Sequence, residues 1–306
     1  MLYSVCNDQS INSILKKMHA GDTLILEDGL YREKIDILTD GITLKARNPH
    51  QAILSWNDYY HKIMPDGNEC NTFRTYTVYI GGDQVTLEGI VIENKAVPSA
   101  IYGQAVALHV DGNRFNCLNC LIKGAQDTLF LGPLPNDLCK RYQGFYPPER
   151  LKGTPSKQYY KNCMIFGDVD FIFGCATALF EDCTIHSIQR ESKNYAYISA
   201  PSHSSDVPYG FLFYHCHFSS EEKRPSSFLS RPWRDYGCAA FIECQMDSHI
   251  LGKGFDPWNN SGREKTARFI EYSPNVDLSA RVPWSHQLTE KQALSYVKNF
   301  KDYLSF

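Results

Sequence analysis

A six-residue unit that recurs along the chain constrains its fold more than any other feature of the sequence. The unit reads apolar, any, any, Cys or Ile, any, apolar, and its fourth position is held by Ile90, Cys120, Cys163, Cys183, Cys216 and Cys244. Intervals between these positions are irregular, from 20 residues (163 to 183) to 43 residues (120 to 163). Short strand-like units at such spacings are typical of solenoids with variable loops. The repeat therefore predicts an all-β fold, a parallel β-helix in which successive units stack.

Two aspartates occupy the same phase of this repeat. Asp127 follows Cys120 by seven residues, and Asp170 follows Cys163 by seven. If the two cysteines stack on neighbouring coils, the aspartates stack too, at a strand spacing of about 4.7–4.9 Å. Ionised carboxylates that close repel each other, which splits their pKa values and leaves one as acid and one as base or nucleophile. Alone, Asp170 could equally be a structural carboxylate at a strand start. The shared phase favours a catalytic pair.

Size and charge limit the classes of function. The chain has 306 residues, of which 43% are hydrophobic, and no linker or composition shift divides it, so we expect a single domain over 1–306. A net charge of −3 gives no reason to expect nucleic acid or an anionic membrane surface as a partner. No apolar run approaches the roughly 20 residues of a membrane span. We expect no membrane partner and a monomer.

The first twenty residues lack the apolar core of a signal peptide, because Asp8, Lys16, Lys17 and His19 interrupt them. The sequence as written therefore predicts a cytoplasmic protein. It predicts a secreted one if an export signal has been removed.

The eleven cysteines fit an interior role better than disulfides, because five of them hold the fourth position of the repeat. Cys117 and Cys120 are spaced like a redox or zinc motif. Within one strand, however, their side chains would point to opposite faces, and no second such pair follows. The cysteine pattern thus predicts no metal site.

Three segments stand outside the repeat. Helical spacing of apolar residues predicts a short helix at 10–18, covering an open end of the solenoid, and another at 289–303 with Ala293, Leu294, Val297 and Leu304 on one face. A proline-rich segment at about 131–157 predicts an inserted loop that leaves the coil between the two aspartates. Such a loop is by default a surface excursion, but its aromatic residues Tyr142, Phe145 and Tyr146 make a wall or lid of a cleft an alternative.

Five motifs in order give the chain a recognisable resemblance: GLYRE at 29–33, QAVAL at 104–108, QDTL at 126–129, DFIFG at 170–174 and LSRPW at 229–233. Together they resemble the pectin methylesterases, or pectinesterases, which are carbohydrate esterases built on a right-handed parallel β-helix. Weaker sequence similarity to the same family extends from about residue 20 to 290. Ser230 departs from the usual glycine before the arginine, which leaves the arginine and tryptophan of the motif in place.

The resemblance implies a reaction and a set of catalytic residues. Asp170 would be the nucleophile that attacks the methyl-ester carbonyl at C6 of a galacturonate unit, and Asp127 would protonate the departing methanol and then activate water. Gln126 and Gln104 would donate hydrogen bonds to the oxyanion. Arg231 would keep Asp170 ionised, a role that suits its permanent charge and bidentate geometry.

The resemblance also implies a substrate, which is pectin or a methylated oligogalacturonide. Residues expected to contact the sugar are Trp233, Thr72, Phe171 and Trp258. Methanol and an acidic product would be released without a cofactor or metal.

Two other functions fit a β-helix. A glycoside hydrolase or lyase acting on polygalacturonate is one, although an inverting hydrolase needs carboxyl groups about 6.5–9.5 Å apart and the repeat phase predicts closer approach. A calcium-dependent lyase would need a cluster of oxygen ligands, which the motifs do not supply. The second alternative is a non-catalytic relative that only binds pectin, since fold does not fix function. The set of Asp127, Asp170 and Arg231 argues against it.

Overall fold

Three parallel β-sheets form the body of the protein. The computed structural model describes residues 1–142, 155–190, 194–259 and 261–305. Over these residues the chain forms strands β1 to β26 and helices α1 to α4, numbered in chain order.

Hydrogen bonding between neighbouring strands sets the strand order of each sheet. Sheet A contains β1 (Leu2–Val5), β2 (Thr23–Leu26), β5 (Thr43–Ala46), β8 (Thr86–Glu88), β11 (Phe115–Leu118), β14 (Lys157–Lys161), β17 (Thr177–Glu181), β20 (Phe211–Tyr214), β23 (Cys238–Ile242), β25 (Arg268–Tyr272) and β26 (His286–Gln287). Sheet B contains β24 (Gln245–Met246), β21 (His217–Ser220), β18 (Thr184–Ser187), β15 (Met164–Gly167), β12 (Leu121–Lys123), β9 (Val91–Asn94), β6 (Ala52–Trp56) and β3 (Gly29–Tyr31). Sheet C contains β22 (Ser227–Ser230), β19 (Ala196–Pro201), β16 (Val169–Gly174), β13 (Leu129–Leu131), β10 (Leu108–Val110), β7 (Val78–Ile80) and β4 (Ile35–Ile37).

Each full coil gives one strand to each sheet. Strands β8, β9 and β10 belong to sheets A, B and C, and the next three strands repeat the order. Each strand pairs in parallel with the strand one coil away, as β11 does with β8 and β14. The predicted parallel β-helix is confirmed.

The six-residue unit is the corner between sheets A and B. Its third position has a left-handed backbone in every copy, with φ between 52° and 69°, at Gly89, Asn119, Asn162, Asp182, His215 and Glu243. Glycine, asparagine and aspartate adopt this conformation most readily, so the sequence marks most of these corners. Strand registers then align the fourth positions on successive coils, since the residues that follow them are paired. The repeat phase read from the sequence is therefore confirmed.

The cysteines at the fourth position line the interior as buried free thiols. The prediction that Cys117 and Cys120 point to opposite faces is wrong, because both side chains are fully buried in the interior. The left-handed residue Asn119 lies between them and turns the chain, so strand alternation does not continue through the corner. The Sγ atom of Cys163 lies 3.8 Å from that of Cys117.

Helix α1 (Ile11–Leu15) is shorter than the predicted 10–18. The Ser10 side chain accepts from the Ser13 amide at its start, and Ile11 and Leu15 are buried in the interior core at the β1 end of the solenoid. Helix α2 (Ser99–Tyr102) and helix α3 (Asn136–Arg141) lie between strands of the solenoid. None of the helices in the described ranges is both long enough and apolar enough to cross a membrane.

Helix α4 (Glu290–Leu304) covers the outer face of sheet A. Thr289 and Gln292 form a reciprocal capping box at its start, as the predicted cap at Thr289 requires. Its buried residues are Ala293, Val297, Phe300 and Leu304, and they pack on outward-facing side chains such as Leu179, Leu212 and Ala240. The prediction for Leu294 is wrong: it is 56% exposed, because one residue after Ala293 the helix has turned by about 100°. Phe300 takes its place on the buried face.

We expect Phe300→Ala to destabilise the protein by about 3–5 kcal/mol, the usual cost of truncating a buried phenylalanine. Urea unfolding followed by circular dichroism measures the change. Leu294→Ala is the matched control, and its exposed side chain should change the free energy of unfolding by less than about 0.5 kcal/mol. Equal effects of the two variants would mean that α4 does not pack through this face.

Candidate active site

Asp127 and Asp170 both adopt a left-handed backbone beside sheet C, with φ of 63° and 48°. The pairing of Leu129 with Ile172 in β13 and β16 places the two aspartates at equivalent positions of neighbouring coils. The Asp127 amide donates to the Val169 carbonyl at 3.0 Å. The alignment that the repeat predicts is thus present. A left-handed conformation at a residue other than glycine costs about 1–2 kcal/mol, and such strain is often found at functional sites.

An irregularity in β16 directs Asp170 into the cleft. The register between β16 and β19 shifts between Val169 and Ile172, which leaves Asp170 and Phe171 outside the regular pairing. Bulges of this kind re-aim side chains beside active sites.

The prediction that Phe171 contacts substrate is wrong. Its side chain is fully buried in the interior core, because the bulge that turns Asp170 outward turns Phe171 inward. Phe173, two residues later on the same strand, lines the cleft instead.

Arg231 holds the Asp170 carboxylate with two hydrogen bonds, from Nε to Oδ1 at 2.8 Å and from Nη2 to Oδ2 at 2.6 Å. Arg231 follows β22, and its amide donates to the Ser199 carbonyl of the neighbouring strand. Ser230, which departs from the family motif, is buried with its hydroxyl donating to the same carbonyl at 3.2 Å, and the ion pair is intact. The predicted contact between Arg231 and Asp170 is therefore present.

The two carboxyl groups have different electrostatic surroundings. Burial raises the pKa of Asp127 well above its ordinary value, and the negative charge of Asp170 raises it further. Burial also raises the pKa of Asp170, but the hydrogen bonds and charge of Arg231 oppose that rise. Among the described residues, no side chain donates a hydrogen bond to the Asp127 carboxylate. Asp127 is consequently the member of the pair that retains a proton more readily.

Gln104 and Gln126 lie beside each other on neighbouring coils. They form an isolated parallel bridge, in which the Ala105 amide donates to the Gln126 carbonyl at 3.0 Å. Both side chains are partly exposed and line the same cleft as the two aspartates. Two side-chain amides thus stand near the carboxylates, as an oxyanion site requires.

The aspartates open into a cleft of about 400 Å³. Of the predicted substrate contacts, Thr72, Trp233 and Trp258 line it. Several other lining residues were given no role individually by the sequence, and these are Tyr60, Phe73, Leu138, Arg141, Phe173, Ala200 and Arg234. Phe73 and Arg234 adjoin assigned residues, so adjacency could have suggested them.

The inserted segment contributes to the wall of this cleft. Leu138, Arg141 and Tyr142 reach the cleft from α3 and its end, which supports the wall interpretation for that part of the segment. Phe145 and Tyr146, also predicted there, lie outside the described residues.

Comparison with known proteins decides the family. The family model described as Pectinesterase matches residues 5–133 and 149–302. Pectinesterase 31 of Arabidopsis thaliana is 32% identical over 302 residues, which cover 94% of this chain and 86% of that protein. The chain belongs to the pectinesterase family.

Membership of the pectinesterase family confirms the predicted class, a carboxylic ester hydrolase, and the predicted hydrolysis of galacturonate methyl esters in pectin. It also decides against the alternative of a polygalacturonate hydrolase or lyase. The match is interrupted between residues 133 and 149, so the part of the cleft wall that α3 supplies lies outside it.

Solved structures show the same fold. Pectin methylesterase PemA from Erwinia chrysanthemi superposes with a TM-score of 0.79 at 22% identity, covering 99% of this chain and 96% of that one. A pectin methylesterase in complex with a hexasaccharide superposes with a TM-score of 0.78 at 22% identity, covering 100% and 97%.

Proposed function

We propose that this pectinesterase works through an acyl-enzyme on Asp170, with Asp127 acting first as acid and then as base. The observation that carries the assignment is the bidentate contact of Arg231 with Asp170, in a pair whose other member, Asp127, has no such partner among the described residues. The cation favours the ionised, nucleophilic form of Asp170. Burial favours the protonated form of Asp127.

The first half-reaction forms the acyl-enzyme. A carboxylate oxygen of Asp170 attacks the ester carbonyl carbon, and the amides of Gln104 and Gln126 donate hydrogen bonds to the resulting oxyanion. As the tetrahedral species collapses, the bond from carbon to methoxy oxygen breaks and Asp127 gives its proton to that oxygen. Methanol leaves, and an anhydride joins Asp170 to the galacturonyl group.

The second half-reaction regenerates the enzyme. Asp127, now a carboxylate, removes a proton from water, and the hydroxide attacks the galacturonyl carbon of the anhydride. Collapse of this species releases Asp170 as a carboxylate and the sugar as a free acid, which loses its proton to solvent. Each residue returns to its starting protonation state.

The shape of the cleft supports pectin or a methylated oligogalacturonide as the partner. Trp233 and Trp258 place aromatic rings in the cleft lining, and Thr72 adds a hydroxyl to the same lining. Arg141 and Arg234 add positive charge to the lining, which suits a substrate that carries free carboxylates beside its methyl esters.

A rapid-quench experiment on methylated oligogalacturonide tests the acyl-enzyme. We expect a methanol burst approaching one equivalent per active site when deacylation is slowed, with a galacturonyl adduct mapped to Asp170 by mass spectrometry. Wild type and Asp127→Asn are compared, because the variant slows both the formation and the hydrolysis of the adduct, and the adduct accumulates wherever hydrolysis is the slower step. Adduct-free turnover in every variant would instead mean that water attacks the ester directly and that Asp170 is only a base.

Replacing Gln126 with alanine should lower kcat by about 10²–10³-fold, since it removes one donor to the oxyanion. KM should change little, because the hydrogen bond strengthens only as negative charge develops. Steady-state methanol release on highly methylated pectin measures both constants, and Gln51→Ala, an exposed glutamine beside β6, is the control. A rise in KM without a fall in kcat would make Gln126 a substrate-binding residue only.

A further inference from the structure

The guanidinium of Arg231 lies between two aromatic rings. Its central carbon is 3.7 Å from the centroid of the Tyr197 ring and 4.0 Å from that of the Trp258 ring. The Tyr197 ring is itself stacked on Phe228, with centroids 5.5 Å apart and planes 10° from parallel. Four planar groups therefore form one stack, in the order Phe228, Tyr197, Arg231, Trp258.

The solenoid builds this stack from three segments. Tyr197 and Phe228 are paired residues of β19 and β22, so their side chains stand side by side on neighbouring coils. Arg231 follows β22 and extends back across Tyr197 towards Asp170. Trp258 reaches the opposite side of the guanidinium from a turn in which its amide donates to Asp256 Oδ1 at 2.8 Å.

We propose that Tyr197 is a positioning residue for the esterase reaction: with Trp258 it fixes the plane in which the Arg231 guanidinium meets both oxygens of Asp170. This inference rests on the proposed role of Asp170 as nucleophile. Arginine stacks on aromatic faces with an attraction that grows when the pair is shielded from water, and Arg231 is largely buried. A bidentate contact requires the guanidinium and the carboxylate to be coplanar, and rings on both faces restrict rotation out of that plane.

The surroundings of Asp170 explain why the plane must be held. The charged and titratable groups that face Asp170 are Arg231, Asp127, Asp168, Asp256 and Tyr197. Arg231 is the cation in this set, and three of the others are carboxylates. The negative charge of Asp256 also acts on the guanidinium, so it competes with Asp170 for an Arg231 that is free to rotate. The stack keeps the positive charge of the Arg231 guanidinium directed at the Asp170 carboxylate.

Replacing Tyr197 with leucine should therefore act on the nucleophile. When Arg231 is held less tightly, its charge offsets less of the rise that burial causes in the pKa of Asp170. The carboxyl group therefore ionises at a higher pH. Because the reaction needs the carboxylate, activity is lost below that pKa, and the acid limb of the profile of kcat against pH should move to higher pH. At the optimum we expect kcat to fall about threefold to thirtyfold with KM nearly unchanged.

The conservative variant Tyr197→Phe keeps the ring and should restore both kcat and the position of the acid limb. Tyr195→Leu is the matched control: Tyr195 is a neighbouring tyrosine that contacts Phe228 edge-on at 5.3 Å and lines a separate cavity. It should leave the pH profile unchanged. Thermal midpoints for all three variants separate lost folding from lost positioning.

Three results would overturn the proposal. An unmoved acid limb in Tyr197→Leu is the first, and the same shift in Tyr195→Leu is the second. Failure of Tyr197→Phe to restore the profile is the third. Asp170→Ala, measured alongside, separates the positioning role from the nucleophile assignment. If that variant is inactive while Tyr197→Leu behaves like the wild type, only the positioning role is lost, whereas an active Asp170→Ala removes the nucleophile assignment and this inference with it.

Discussion

Asp170→Ala is expected to abolish methanol release from methylated pectin, with a loss of about 10⁴-fold or more in kcat, as for other enzymes that lose a covalent nucleophile. Without this carboxylate no anhydride can form, and the cleft retains only its ability to bind substrate and to stabilise an oxyanion. The thermal midpoint should change little. Removing a buried carboxylate, whose pKa burial raises, offsets part of the lost pairing, and the Arg231 side chain is 17% exposed, so its charge keeps some contact with water.

Asp170→Asn is the companion variant. Asparagine adopts the left-handed backbone of residue 170 readily and preserves the shape of the side chain, so it removes only the charge. Both variants should still bind oligogalacturonide, which isothermal titration calorimetry can measure. Near-wild-type methanol release in either variant would show that Asp170 is not the nucleophile.

Asp127→Asn is expected to slow both half-reactions, with kcat falling about 10²–10⁴-fold as for other lost general acids and bases. Asparagine can neither protonate methanol nor remove a proton from water. Pre-steady-state methanol release and steady-state turnover, measured on the same preparation, report the two steps separately.

The pH dependence gives this variant a second, independent signature. Burial and the charge of Asp170 raise the pKa of Asp127, and its acid role is lost once pH rises through that value. The wild-type profile should therefore decline on its alkaline side, and the residual activity of Asp127→Asn should not decline there. A variant whose KM alone changed would show that Asp127 binds substrate and transfers no proton.

The sequence was sufficient to predict the alignment of Asp127 with Asp170 because the repeat is periodic. The left-handed corner at Asn119 recurs at Asn162, so the register of Cys120 with Cys163 follows from pattern alone. Once that register is known, the alignment of residues seven positions later follows from backbone geometry. The ion pair of Asp170 with Arg231 came instead from the family motifs.

The errors arose where local geometry departs from regular alternation. The resemblance assigns Phe171 to the substrate, but the bulge in β16 turns its side chain into the interior core. Cys117 and Cys120 were assigned to opposite faces on the assumption of one continuous strand. Tyr197 carried no signal, since it belongs to none of the motifs and its importance depends on Arg231 crossing over from the next coil.

Backbone pairing between adjacent coils has a consequence for how such an enzyme can change. The separation of Asp127 from Asp170 is fixed by one layer of inter-strand hydrogen bonds, whatever length of polypeptide lies between them along the chain. Segments that leave the β-helix between residues 127 and 170 can consequently be lengthened, shortened or exchanged without changing the relative position of the two aspartates. Evolution, or an engineer, can thereby vary which polymer reaches the centre while the chemistry stays constant.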